Sequence, residues 1–126
     1  MEIQIPISVG ELIDKITILE IKIEKVNNQI KKINIKKELT ELTKIFNDLK
    51  NTELDPLYRQ LKIINKKLWD IEDEIRVHEK NNNFNDEFIE LARSVYVTND
   101  ERFEIKSKIN NLYDSDIVEE KLYEEY

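Results

Sequence analysis

Residues 8–26 read SVGELIDKITILEIKIEKV, and whether this run is a helix decides the fold. Leu12, Ile16, Leu19, Ile23 and Val26 recur in alternating steps of four and three, the spacing that gathers side chains on one side of an α-helix. Ile13, Ile18 and Ile21 carry the apolar surface beyond that stripe, so the helix is expected to touch neighbours on two sides, at the centre of a bundle or at an interface. Its start is signalled twice. Ser8 is placed to accept from the backbone N–H of Glu11 while the Glu11 carboxylate reaches back to the Ser8 N–H, a capping box, and Ile7 and Leu12 have the spacing of a hydrophobic staple. Gly10 in the first turn is only a small propensity cost.

Upstream, residues 1–8 alternate Ile3, Ile5 and Ile7 against Glu2 and Gln4, the period of a half-buried strand, and Pro6 restricts them to an edge or an extended arm. Such an arm either lies across its own bundle or pairs with a second subunit. Downstream, Asn27-Asn28 breaks the helix and Asn28 caps the next, although the seam continues through Ile30 and Ile33 as one long helix would allow. Leu39, Leu42, Phe46 and Leu49 then carry a helical face to about Lys50.

Asp55 at the N-cap and Pro56 at the first helical position restart the chain, with Thr52 as an earlier cap. The third helix is the most regular, with Leu57, Leu61, Ile64, Leu68, Ile71 and Ile75 in register and His78 on the next step. Asn81-Asn82-Asn83 stop it, and Phe84 and Ile89 flank Asn85 at staple spacing, starting a fourth helix that runs to roughly Tyr113. Ser115 or Asp116 is expected to cap a short last helix carrying Glu119, Glu120, Lys121 and Tyr123. The sum is an all-α antiparallel bundle of about four helices in a single domain, 1–126, with an extended arm (1–8) and an acidic C-terminal segment (114–126).

Composition agrees: 126 residues with one Gly, two Pro and 37% charged residues suit long helices with few tight turns. A net charge of -7 disfavours nucleic acid as a partner, since neutralising phosphates dominates that affinity. With no cysteine and one histidine, neither a thiolate nucleophile nor a structural zinc is available, and no metal or cofactor is expected. No basic segment leads into an apolar run and no stretch of roughly 18 apolar residues occurs, so a soluble, cytoplasmic chain with no membrane partner is expected.

Function is written where the periodicity breaks. In the fourth helix Phe88, Ala92 and Val95 set a face whose next steps fall on Asn99, Arg102 and Lys106 before Ile109 restores it. A second row through Leu91, Val95, Thr98, Arg102 and Ile105 also includes Arg102, so Arg102 lies near the core boundary in either phase and requires partners. Asp14, Glu72 and Asp73 lie one step off the other seams and are the candidates. Two readings stand side by side. One is a structural ion-pair network; the other is a crevice where Arg102, Lys106 and Lys15 hold an anion, Asn65, Asn99 and Thr17 read its polar edges, and Trp69 or Tyr96 forms a wall. His78 reads as a satisfied histidine in the last turn of its helix, with no nucleophile beside it. Charge is also segregated: residues 22–37 hold six Lys against Glu24, and residues 114–126 hold six acids against Lys121, complementary segments that are either solvated surface or a tail docked on the basic helix of its own or a neighbouring subunit.

Four collinear blocks, PISVGELIDKITILEIK (6–22), NKKLWDIEDEIR (65–76), FIELARSVYVTNDERFEIKSKIN (88–110) and VEEKLY (118–123), resemble an uncharacterised family of short helical proteins from bacteria and phages. Some members occur beside or fused to tetratricopeptide-type glycosyltransferases, which implies a role near surface-glycan synthesis. The blocks include Ser8, Glu11, Asp14, Lys15, Asn65, Trp69, Glu72, Asn99, Asp100, Arg102 and Lys106, the positions that the periodicity singles out. The expected function is a non-enzymatic, homo-oligomeric bundle that binds a small anionic ligand of nucleotide or nucleotide-sugar type, in a phage a sponge for a nucleotide immune signal. The alternatives are a ligand-free scaffold or regulatory subunit for glycan enzymes, and a helical enzyme of the chorismate-mutase type, in which cations clamp a dicarboxylate.

Overall fold

A computed structural model describes residues 1–49 and 51–126, which form four helices: α1 (Val9–Lys25), α2 (Gln29–Leu49), α3 (Leu54–Lys80) and α4 (Asp86–Leu112). Among the described residues there is no strand, and no helix is long and apolar enough to cross a membrane.

The expected breaks fall where side chains replace missing backbone partners. Asn28 Oδ1 accepts from the N–H groups of Ile30 and Lys31, ending the option of one continuous helix. Asn85 Oδ1 accepts from Phe88 N and starts α4; Phe84 then packs edge-on against Phe88, 5.2 Å between centroids, and leaves Ile89 exposed, so the staple there is not formed. The third helix starts two residues earlier than the Asp55-Pro56 pair suggests, at Leu54, because Asn51 Oδ1 takes the Leu54 N–H and Leu54 is pulled into the core, 1% exposed. The expected end of the second helix, near Lys50, lies outside the described residues.

Helix α1 is central, packed against α2, α3 and α4. Gly10, Glu11 and Asp14 meet Asn110, Lys106 and Arg102 in turn, so α1 and α4 run antiparallel. Ile13, Leu54, Leu61, Ile105 and Ile109 form the core cluster at this end, with Phe46, Tyr58, Leu112 and Tyr113 closing its edge. Close approach at Gly10 is obligatory: a Cβ there would stand 2.6 Å from the Lys106 carbonyl oxygen.

At 27 residues each, α3 and α4 are about 40 Å long against about 25 Å for the 17 residues of α1, so their hairpin outruns it. Helix α2 packs chiefly on α1, with Phe46 against Tyr58 and the Tyr113 hydroxyl donating to the Leu49 carbonyl at its end, and none of its residues is buried. The arm keeps Ile3 and Ile5 in solvent, 75% and 67% exposed, and does not lie across its own bundle.

The expected last helix is absent. Residues 114–126 form a tail along α4. Ser115 cannot cap a helix there, because its hydroxyl accepts from Val9 N and donates to the Ile117 carbonyl. The acids and lysine that a helix would scatter around its axis are held by tertiary partners instead: Glu119 by Lys106, Lys121 and Tyr126 by Asp100.

Candidate functional site

The polar positions of α4 follow the row through Thr98, Arg102 and Ile105, which places Thr98 and Ile105 in the core and leaves Ala92 exposed. Arg102 therefore reaches α1 from the core boundary. Its Nε donates to Asp14 Oδ1 at 2.9 Å and its Nη2 to Asp14 Oδ2, a side-on bidentate pair, while Nη1 lies 3.4 Å from Asn99 Oδ1. Asp14 is 1% exposed and accepts a third bond, from Asn65 Nδ2 at 2.9 Å. Asn65 Nδ2 also donates to Thr17 Oγ1, whose own proton goes to the Asp14 carbonyl. A carboxylate stripped of water is stable only with such a set of donors, and Asp14 in turn keeps the Arg102 guanidinium more firmly charged.

The network does not consume Arg102. Asp14 occupies the edge formed by Nε and Nη2, Nη1 reaches Asn99, and Arg102 also lines a crevice of about 380 Å³. Asn65, Asn99, Arg102 and Trp69 line it together, joined by Ile18, Leu68, Glu72, Asp73 and Arg76. Four of the residues expected at a ligand site thus converge, with Asp14 buried beneath them. Asn65 keeps its carbonyl oxygen free to accept and Asn99 its amide free to donate, because their other atoms serve Asp14, Thr17 and Arg102.

Three expected ligand residues lie elsewhere. Lys15 is exposed, since one residue past Asp14 the helix has turned by about 100°. Lys106, 5% exposed, places its ammonium 2.8 Å from Glu11 and 2.8 Å from Glu119. Burial disfavours its charge, and the two carboxylates outweigh that, leaving it above the ordinary lysine value. Glu11 consequently completes only half of the capping box: Ser8 Oγ accepts from Glu11 N at 3.1 Å, while the carboxylate is drawn to the buried ammonium. Tyr96 stacks edge-on with Tyr126 under the tail, 5.2 Å between centroids.

Sequence reasoning missed the contribution of Arg76 to the crevice and that of Glu119 and Tyr126 to the tail contact. Arg76 sits four residues past Glu72, a spacing that marks the pair, but Glu119 and Tyr126 carry no local signal.

The tail contact is electrostatic and titrates. Lys121, then the Tyr126 hydroxyl, hold the Asp100 carboxyl below its usual value, and Asp100 in return pushes the Tyr126 phenol up to about 12. A carboxyl whose pKa is depressed on folding supports the folded contact above its unfolded value, about 3.9, and loses it as pH falls through the lower folded one. The tail is therefore expected to stay docked at pH 6 and to detach below about pH 4. Asp100→Asn is expected to detach residues 121–126 at pH 6 without loss of helix, read as a fall in their heteronuclear Overhauser enhancements.

The profile of the Family of unknown function (DUF6165) matches residues 3–126 of the chain. No curated protein and no solved structure matches it.

Proposed function

The chain belongs to a family of unknown function, DUF6165, so kinship supplies no activity, and we propose from the site chemistry that it is a non-enzymatic binding protein whose crevice between α1, α3 and α4 holds a small ligand by one anionic group. The observation that carries this reading is the half-committed Arg102. Three of its five N–H groups go to Asp14 and Asn99, and Arg102 lines the crevice with two to spare, enough for one carboxylate or phosphate.

The surroundings narrow the ligand. Trp69 offers a flat apolar face, Asn99 a donor, and Asn65, Glu72 and Asp73 acceptors for hydroxyl or amino groups. Charge comes close to balance with one acid in excess, since Asp14 offsets Arg102, Glu72 lies 3.8 Å from Arg76 and Asp73 is left over. That balance favours a single phosphate on a hydroxylated body, as in a nucleoside monophosphate or the sugar end of a nucleotide sugar, over a polyphosphate. An enzyme that clamps a dicarboxylate needs two uncommitted cations facing each other; Lys106 is held by two carboxylates away from the crevice.

Trp69 is the one tryptophan of the chain, so its fluorescence reports on the crevice directly. Titration with nucleoside monophosphates, cyclic dinucleotides, nucleotide sugars and sugar phosphates is expected to change the Trp69 emission for one class and to raise the unfolding midpoint by mass action. Arg102→Lys keeps a cation for Asp14 but removes the spare N–H groups, and is expected to weaken that ligand at least tenfold, about 1.4 kcal/mol. Emission and midpoint unchanged by every class at millimolar concentration would leave the scaffold reading in its place.

A further inference from the structure

Two oppositely charged surfaces are left without partners, one on α2 and one on the tail. On α2, Ile30 and Ile33 are 73% and 66% exposed, and Lys36 and Lys37 follow Ile33 by three and four residues, on the same side of the helix. Among the described residues, Lys36 and Lys37 make no ion pair. A 21-residue helix with no buried residue, covered by α1 on one side only, is an unfinished packing layer.

On the tail, Glu119 and Lys121 bond to α4, while the residues beside them stay in solvent. The intervening residues Val118, Glu120, Leu122 and Glu124 are all exposed, Val118 at 55% and Leu122 at 93%. The exposed edge of the tail thus reads apolar, acidic, apolar, acidic, with Glu120, Leu122 and Glu124 at the rim of the cleft between tail and α4. It complements the outer face of α2 in both charge and apolar content.

Within one chain the two surfaces are kept apart, because α2 packs on α1 while Lys106 and Asp100 fasten the tail to α4. We infer that the outer edge of the tail docks on the outer face of α2 of a second copy of this chain, and that the second tail returns the contact in a two-fold dimer. Each contact sets Ile30 and Ile33 against the apolar side chains of the tail, Val118 and Leu122, and Lys36 and Lys37 against its acids, Glu120 and Glu124. Reciprocity follows from symmetry, since both partners carry both surfaces.

Sedimentation velocity of four samples tests this: the parent, Lys36→Glu/Lys37→Glu, Glu120→Lys/Glu124→Lys, and an equal mixture of the two variants. All the altered side chains are exposed, and circular dichroism confirms that each variant is folded. At about 100 μM chain and low salt, the parent is expected to be a dimer, each variant at least tenfold weaker, and the mixture a dimer again, because each reversed α2 then meets a reversed tail. About 1 M salt, where the Debye length is about 3 Å, is expected to weaken all the dimers. A monomeric parent, a variant that dimerises as well as the parent, or a mixture that stays monomeric overturns the proposal. Should a reversed chain lose its helix, the absence of native cysteine offers a second reading: Ile33→Cys chains mixed with Leu122→Cys chains under mild oxidation are expected to join one of each. Disulfides only between like chains overturn it equally.

Discussion

Asp14→Ala is expected to lower the unfolding free energy by about 3 kcal/mol, one of the two largest single-residue effects argued for this protein. The carboxylate is 1% exposed and takes bonds from Arg102 Nε, Arg102 Nη2 and Asn65 Nδ2. Removing one member of a buried ion pair costs roughly 3–5 kcal/mol when the other is stranded. Here the Arg102 side chain retains 28% of its exposure and recovers some water, which sets the effect at the lower end of that range. Urea unfolding followed at 222 nm measures it. Asp14→Leu combined with Arg102→Met is expected to regain most of the loss, since no charge is then left alone in the core boundary. A cost for Asp14→Ala under about 1 kcal/mol would mean that the guanidinium finds full hydration elsewhere.

Gly10→Ala is the second. Alanine is a better helix former than glycine by about 1 kcal/mol, so propensity alone forecasts stabilisation. Contact geometry forecasts the reverse. The added Cβ would meet the Lys106 carbonyl oxygen at 2.6 Å, the Lys106 carbonyl carbon at 3.2 Å and Asn110 Oδ1 at 2.9 Å. Two of these atoms are backbone inside α4, so α1 and α4 must separate. Separation stretches the 2.7 Å bond from Gly10 N to Asn110 Oδ1 and, in the next turn, the contacts of Glu11 and Asp14. Overpacking of roughly 1–3 kcal/mol and a weakened buried hydrogen bond of about 1 kcal/mol exceed the propensity gain, for a net loss of about 2 kcal/mol. The same urea unfolding decides the sign, and a variant more stable than the parent would show that α1 and α4 close less tightly than described.

The contrast at Gly10 shows where the sequence was legible. Helix starts were readable when the signal was local: Ser8, Asn28 and Asn85 each bond to an amide two or three residues on. The central position of α1 was readable because its apolar surplus exceeds one stripe, and the need of Arg102 for an acid followed from burial alone. What failed depended on distant chain. Ser115 looks like a cap until Val9 claims its hydroxyl, and Glu11 like half of a capping box until Lys106 claims its carboxylate. Lys15 and Asp14 are neighbours in sequence, and only the observed rotation of α1 shows which faces α4. The unburied state of α2 was hidden for a different reason: Leu39, Leu42 and Phe46 give it the pattern of any amphipathic helix, and pattern does not state how many neighbours a face will find.

Val9 and Ser115 touch although 106 residues separate them. The chain therefore enters and leaves the helical core at one gate, and the four helices make a topologically closed loop. A unit with its doors side by side is a portable cassette: spliced into a surface loop of another protein, or permuted to open at a different turn, it asks the flanking chain to bridge only a few ångströms. The arm leads away from that gate into solvent, so a fusion on its side would leave the crevice, a full turn and more further along α1 and α4, untouched, whereas the tail ends on Asp100 beside it.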